Sequence, residues 1–306
     1  MIPLIYHPGY NVTAFGLERL HRFDGRKYQR IHDALVSRHL RCSKDFVPPR
    51  PISKGDLRRV HTAEYLGSLR RPETLAKILE VPLVRRLPSW VIDWRILRPM
   101  RLATGGTVLA CRLAIERGIA INLGGGYHHA ASGWGGGFCV YADAPIAAKI
   151  LHDEGKVGKV LVVDLDAHQG NGTASAFREW PWASIFDLYE RDNFPSRKEP
   201  EDYPLAVRSG LNGSEYLGIV HEALPYVLDN DRPDLILYNA GSDPFVEDPL
   251  AGFRMTANEI AERDLLVVSL AREREIPVAM VLSGGYSAES WKIHADSIEG
   301  ILTRFE

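Results

Sequence analysis

The chain has little cysteine: Cys42, Cys111 and Cys139 are its only three, with no CxxC pair among them. That excludes a Cys₄ zinc site and a disulfide scaffold, and it favours a reducing compartment. A chain of 306 residues buries enough surface to hold together without such staples. It also lacks an excess of either charge, with 37 Lys and Arg against 39 Asp and Glu, a formal net charge of −2. This balance implies no basic footprint for direct contact with nucleic acid and no polybasic membrane patch. No apolar run approaches the roughly 18 residues of a membrane span. The opening MIPLIYHPGY carries no charged stretch followed by a long apolar one, so no signal peptide is expected. Together these absences imply a cytoplasmic globular chain. No flexible Gly/Ser linker and no internal repeat divides it, and one domain over residues 1–306 is the expected organisation.

What is present is a regular alternation. Short, β-branched, continuous apolar runs occur at Ile2–Tyr6, Ile119–Leu123, Val160–Val163, Ile185–Leu188, Leu235–Tyr238 and Val278–Leu282. Continuous rather than alternating runs are what strands buried on both faces require. Helical spacing fills Met100–Arg117, Ala142–Glu154, Ser214–Leu228, Ala257–Arg274 and Ala288–Phe305. Ser214 reads as a helix start, and Thr256 followed by Glu259 fits a capping box. Residues 8–100 read as helices and loops around one end of the sheet. The fold class is α/β, a three-layer arrangement with a mostly parallel sheet flanked by helices.

Four of the six strands run directly into polar, glycine-rich motifs: NLGGGYHH (122–129), DLDAHQGN (164–171), NAGSD (239–243) and LSGGY (282–286). Ligands of open parallel sheets bind outside the carboxyl ends of the strands, so four motifs would converge on one edge. Asp164, Asp166 and His168 alternate along one extended stretch and can share a face. With Asp243 from another strand end they offer two carboxylates and an imidazole, the open three-ligand set of catalytic zinc, which also suits Fe(II) or Mn(II). A lone DxD more often caps a helix, but His168 and the neighbouring motifs reverse that reading. His128 and His129 could serve as an acid/base pair, with Asp164 and Asn171 as partners; an isolated HH would more often be one core and one solvated histidine. Tyr286, after Gly284 and Gly285, could donate to an oxyanion or simply sit at a pocket rim. Trp90, Trp94 and Trp134 could line a tunnel, and the arginines from Arg85 to Arg101 read as a solvated surface.

At these residues the chain resembles the zinc-dependent histone deacetylase superfamily and its arginase/deacetylase fold. The likeness runs from YHPGYNVTAFGLERLHRFDGRKY (6–28) through HTAEYL (61–66), LRPMRLATGGT (97–107), GGGYHH, GGGFCVYAD (135–143), DLDAHQGNGT (164–173), YNAGSD (238–243) and SGGY (283–286). GLERLHRFD and DAHQGNG are similar to the class IV branch in particular. The resemblance implies that Asp166, His168 and Asp243 bind zinc, or Fe²⁺ in its place. It implies that His129 is the general base, His128 its electrostatic partner, and Tyr286 the residue polarising the scissile carbonyl. Gly137 and Phe138 resemble tunnel positions, and Asp164 the residue behind His128. A structural potassium would match Asp187 and Leu188 with the backbone of Asp164, Asp166 and His168, although Asp187 replaces a serine common in other branches. Asn171 stands where class I members carry an aspartate. The implied activity is removal of an acetyl or longer fatty acyl group from the ε-amino group of lysine in a protein or peptide. Acylated polyamines as substrates, and a non-catalytic acyl-lysine binder, are the alternatives. The oligomeric state is not legible in the sequence.

Overall fold

The computed structural model describes residues 1–12 and 22–306. The GLERLH part of the early motif therefore lies outside the described residues. Among the described residues, eight strands form one sheet: β1 (Leu4–Ile5), β2 (Phe46–Val47), β3 (Ile119–Asn122), β4 (Val160–Asp164), β5 (Ala183–Glu190), β6 (Tyr203–Val207), β7 (Leu235–Asn239) and β8 (Val278–Val281). Their order is β2-β1-β3-β8-β7-β4-β5-β6, and every pairing is parallel. The six expected runs are all strands. The two additional strands, β2 and β6, are the edges of the sheet, and β6 carries Pro204, which an edge tolerates because no ladder hydrogen bond is lost there.

The continuous apolar runs are explained by two separate cores, one on each face of the sheet. Leu161, Val163, Ile236, Tyr238, Val278 and Met280 point into one core, which the helices Lys27–Ser37, Gly213–Asp231, Ala257–Glu273 and Ser290–Phe305 cover. Val160, Val162, Leu235, Leu237 and Ala279 point into the other, against the helices Arg98–Arg117 and Asp143–Asp153. This is the expected three-layer α/β architecture. Thr256 caps its helix in a box with Glu259, as the spacing predicts. The helix expected to open at Ser214 starts one residue earlier, capped by Asn212 in a reciprocal box with Glu215. A short helix at Asn171–Phe177 is an addition, placed directly behind the DLDAHQGN motif.

The four motif-bearing strands β3, β8, β7 and β4 are immediate neighbours in the sheet. Asn122, Val281, Asn239 and Asp164 pair in a single row, so their loops leave the sheet at the same level. A buried ion pair fixes this edge from below. Arg263, fully buried, binds Asp264 through Nε and Nη2 at 2.9 and 2.7 Å, and its Nη1 donates to the Leu165 carbonyl at 3.0 Å. Tyr216 donates to the same carbonyl at 3.2 Å. Tyr238 and Ser297 donate to Asp264. The carbonyl of Leu165, between Asp164 and Asp166, is thereby tied to the helical layer. Removing one member of a buried pair strands the other charge, which typically costs roughly 3–5 kcal/mol. Arg263→Ala is expected to lose stability of that order, read as a lowered midpoint in urea unfolding.

Candidate active site

Three ligand atoms converge above the row. Backbone N–H groups hold both carboxylates in place. Asp166 Oδ2 accepts from the Gly284 N–H at 3.0 Å and the Ser283 hydroxyl at 3.1 Å, and Asp243 Oδ1 accepts from the Ala167 N–H at 2.9 Å. Asp166 Oδ1, which also accepts from the His168 N–H at 3.1 Å, and Asp243 Oδ2 each lie 3.0 Å from His168 Nδ1. All three residues are buried, and their ligand atoms lie within 4.8 Å of one another. A side chain at Gly284 would put its Cβ 2.4 Å from Asp166 Oδ2 and 2.7 Å from Asp243 Oδ2, so the loop can approach only as glycine. Burial opposes both negative charges. His128 and His168 nevertheless hold Asp166 well below the usual carboxylate range, whereas burial and the Asp166 charge push Asp243 up to about 7. The pair carries more negative charge than a buried site tolerates, a condition that a bound cation relieves.

His128 and His129 lie 4.0 Å apart between ring centres, tilted by 43°, beside these ligands. His128 Nδ1 lies 2.9 Å from Asp164 Oδ2, and its Nε2 is 3.7 Å from Asp166 Oδ1. Burial disfavours the imidazolium, but the Asp164 and Asp166 charges outweigh it and raise its pKa to about 9. His129 goes the other way: burial, then the positive His128 and His168, depress it far below the ordinary histidine value. Its Nδ1 lies 2.7 Å from the amide oxygen of Asn171, which places the ring proton on Nδ1 and leaves the Nε2 lone pair available. One ring is charged and its neighbour is neutral. Such a split is how a site assigns acid and base roles.

Tyr286 is half-buried, with its ring 6.2 Å from His168 and 5.8 Å from Phe138. Burial and the nearby Asp166 and Asp243 keep its phenol protonated far above the ordinary range. Gly137 backs onto His129 with φ +47°, where a Cβ would come 2.3 Å from the ring. Phe194 meets His129 edge-on at 4.8 Å. An apolar cavity extends from His128, Gly137, Phe138 and Tyr286 to Leu79, Val84, Ile96 and Met100.

Every site residue expected from the sequence therefore lies at this edge of the sheet. Asp187 and Leu188 sit on β5, with Asp187 paired in register to Asp164. Asp187 Oδ2 accepts from the Gly170 N–H at 2.7 Å, and its buried Oδ1 has no partner. The tryptophans do not line the tunnel: Trp90, Trp94 and Trp134 are exposed.

Four residues escaped the sequence reading. Lys27, fully buried, donates through Nζ to the carbonyls of Ser283 at 2.7 Å and Gly284 at 3.1 Å, and burial lowers its pKa to about 8. Asp248 accepts the Tyr286 N–H at 2.7 Å. Glu201 is an acid that burial raises to about 7, close to Asp187. Phe194 is the fourth. The only available signal was Asp248 lying a few residues beyond the NAGSD motif; Phe194 follows β5, which carries no such motif, and nothing distinguishes Lys27 from the other basic residues around it.

Residues 21–300 match the model of the histone deacetylase domain. The chain belongs to the histone deacetylase family. It is 39% identical over 303 residues to histone deacetylase 2 of Arabidopsis thaliana, covering 98% of this chain and 78% of that protein. It is also 26% identical over 310 residues to the acetoin utilization protein AcuC of Bacillus subtilis, with 94% and 78% covered. The crystal structure of the HDA15 HD domain superposes with a TM-score of 0.77 at 19% identity, over 98% of this chain and 90% of that one, which shows the arginase/deacetylase fold. Membership supports a hydrolytic deacetylase.

The Asn171 contact gives a signed expectation. In Asn171→Asp a carboxylate would favour the protonated His129 ring and raise its pKa. A base that must be neutral then works only at higher pH, so the acidic limb of the kcat/KM profile should move upward. An unmoved limb would separate Asn171 from the base.

Proposed function

We propose that residues 1–306 form one catalytic domain of the class IV branch that hydrolyses the amide of ε-N-acyl-lysine in proteins or peptides. The observation that carries this reading is the pair His128 and His129, held by Asp164 and Asn171 next to three converging ligand atoms. Asp166, His168 and Asp243 would hold the ion, zinc or Fe²⁺; when bound it supplies Lewis acidity at the scissile amide. Two carboxylates and an imidazole, buried and held in place by backbone N–H groups, fit such an ion.

In this reading, water reaches the amide carbonyl while His129 Nε2 accepts its proton, with Asn171 keeping the ring in the right tautomer. The imidazolium of His128, held by Asp164, lies close enough to favour the negative charge that develops. Tyr286 donates its hydroxyl hydrogen to the carbonyl oxygen as it becomes an oxyanion. The proton on His129 then passes to the departing lysine amine. Gly137 and Phe138, which line the cavity beside Tyr286, flank the alkyl stem of the lysine. The unpartnered Oδ1 of Asp187 beside Asp164 supports a potassium ion held by Asp187, Leu188 and the backbone of Asp164, Asp166 and His168. All three cysteines are free, which supports a cytoplasmic location. Among the described residues no helix is long and apolar enough to cross a membrane.

The apolar cavity bounded by Leu79, Val84, Ile96 and Met100 supports a fatty acyl group in preference to acetyl. One peptide carrying acetyl, octanoyl or myristoyl lysine tests this directly. Efficiency should rise with chain length; equal or reversed values would return the assignment to plain deacetylation. Tyr286→Phe should lower kcat by about 10²–10³, the usual loss for one oxyanion donor, with metal content and melting temperature nearly unchanged. Turnover close to that of the parent protein with metal bound would remove Tyr286 from the mechanism.

A further inference from the structure

The near-neutral sum of charges hides a local imbalance on the outside of the segment that walls the cavity. Between Pro82 and Arg101 the chain carries five arginines, Arg85, Arg86, Arg95, Arg98 and Arg101, against the single acid Asp93. Asp93 is already occupied by Arg101 at 2.9 Å. Arg85, Arg86 and Arg98 are exposed and form no ion pair with any described residue. The expectation of no polybasic patch, drawn from totals, misses this.

Two exposed indoles lie in the same segment. Trp90 and Trp94, four residues apart in the helical stretch Ser89–Leu97, are 64% and 47% exposed. The guanidinium of Arg95 lies 3.9 Å from the centre of the Trp94 ring. On the opposite side of the stretch, Val91, Ile92, Ile96 and Leu97 are buried. The segment is thus fully committed on its inner side while holding two large aromatic rings and unpaired cations outward. Leaving two indoles in water forgoes the gain of burying them. Indoles prefer the level of lipid headgroups, and guanidinium groups pair with lipid phosphates. A nucleic acid would want a longer basic track than this one stretch supplies on a chain of net charge −2.

We propose that the Arg85/Arg86/Trp90/Trp94/Arg98 face docks on an anionic lipid surface. The positive charge complements acidic headgroups, and the two indoles enter the interfacial region. Docking there would set the segment whose inner side lines the cavity, at Val84 and Ile96, with its outer side against the membrane surface. The proposal does not rest on the acyl-lysine reading, because lipid binding needs no turnover.

The full chain is sedimented with vesicles of phosphatidylcholine alone, and with vesicles containing about 30% phosphatidylserine. It should bind the anionic vesicles, bind the neutral ones weakly, and dissociate as salt is raised. Each arginine near such a surface is worth about five-fold in partitioning, so Arg85→Ser/Arg86→Ser/Arg98→Ser should bind on the order of a hundred-fold more weakly. Trp90→Ser/Trp94→Ser should also lose binding. Both variants change exposed side chains, and an unchanged melting temperature checks that they fold. Failure of the parent chain to bind anionic vesicles overturns the proposal, as does equal binding by the variants. Capture by poly-glutamate without vesicle binding would overturn it in favour of an acidic protein. A Trp90-dependent dimer in size-exclusion chromatography, again without vesicle binding, would do so in favour of a second copy of this chain.

Discussion

The buried contact between Asp164 and His128 is the interaction on which the site depends. Asp164 has no exposure, yet its Oδ2 faces His128 Nδ1 while its Oδ1 accepts from Asn239 at 2.7 Å and from the Asp166 N–H at 3.2 Å. One carboxylate thus connects the ends of β4 and β7 with the loop after β3. Its charge favours a protonated His128 despite burial, and burial together with that cation depresses the pKa of His129. Geometry and protonation are set by the same atoms, so neither can be altered alone.

A second set of contacts holds the loops in place around that pair. Lys27 grips the carbonyls of Ser283 and Gly284, Asp248 holds the Tyr286 amide, and Arg263 ties the Leu165 carbonyl to the helical layer. None of these three side chains is among the metal-ligand or histidine motifs. They hold backbone rather than ligand, and a side chain that binds a carbonyl or an N–H demands little of the sequence around its target. This is why such residues leave no motif behind.

Much of the rest was legible in the sequence. The six interior runs declared themselves because strands covered on both faces must be apolar throughout. The four motifs were visible as glycine and titratable residues following those runs. Their adjacency was not: β3 and β4 follow one another among the motif-bearing strands, yet β8 and β7 lie between them in the sheet, and strand order is a property of crossovers rather than of local composition. Nor were the edges. Two residues at Phe46–Val47 and a proline-bearing Tyr203–Val207 carry no strand pattern because an edge needs neither length nor an unbroken donor row. The protonation split is invisible in HH as a dipeptide, since it arises from Asp164, Asp166 and His168 brought from another strand.

The π-helical turn at Asp93–Leu97 holds one more residue per turn than the α-helix that continues through Arg98–Arg117. An extra residue offsets the side-chain stripes before and after it by roughly 100°. A single continuous rod can thereby serve two masters. Ile96, within the turn, looks into the cavity, while Val108, Cys111 and Ala114 further along seat against the sheet. The widened turn works as a phase shifter, uncoupling the stripe that shapes the cavity from the stripe that secures the helix. Residues at the cavity wall are then free to vary in bulk over evolution without disturbing the register by which that helix packs.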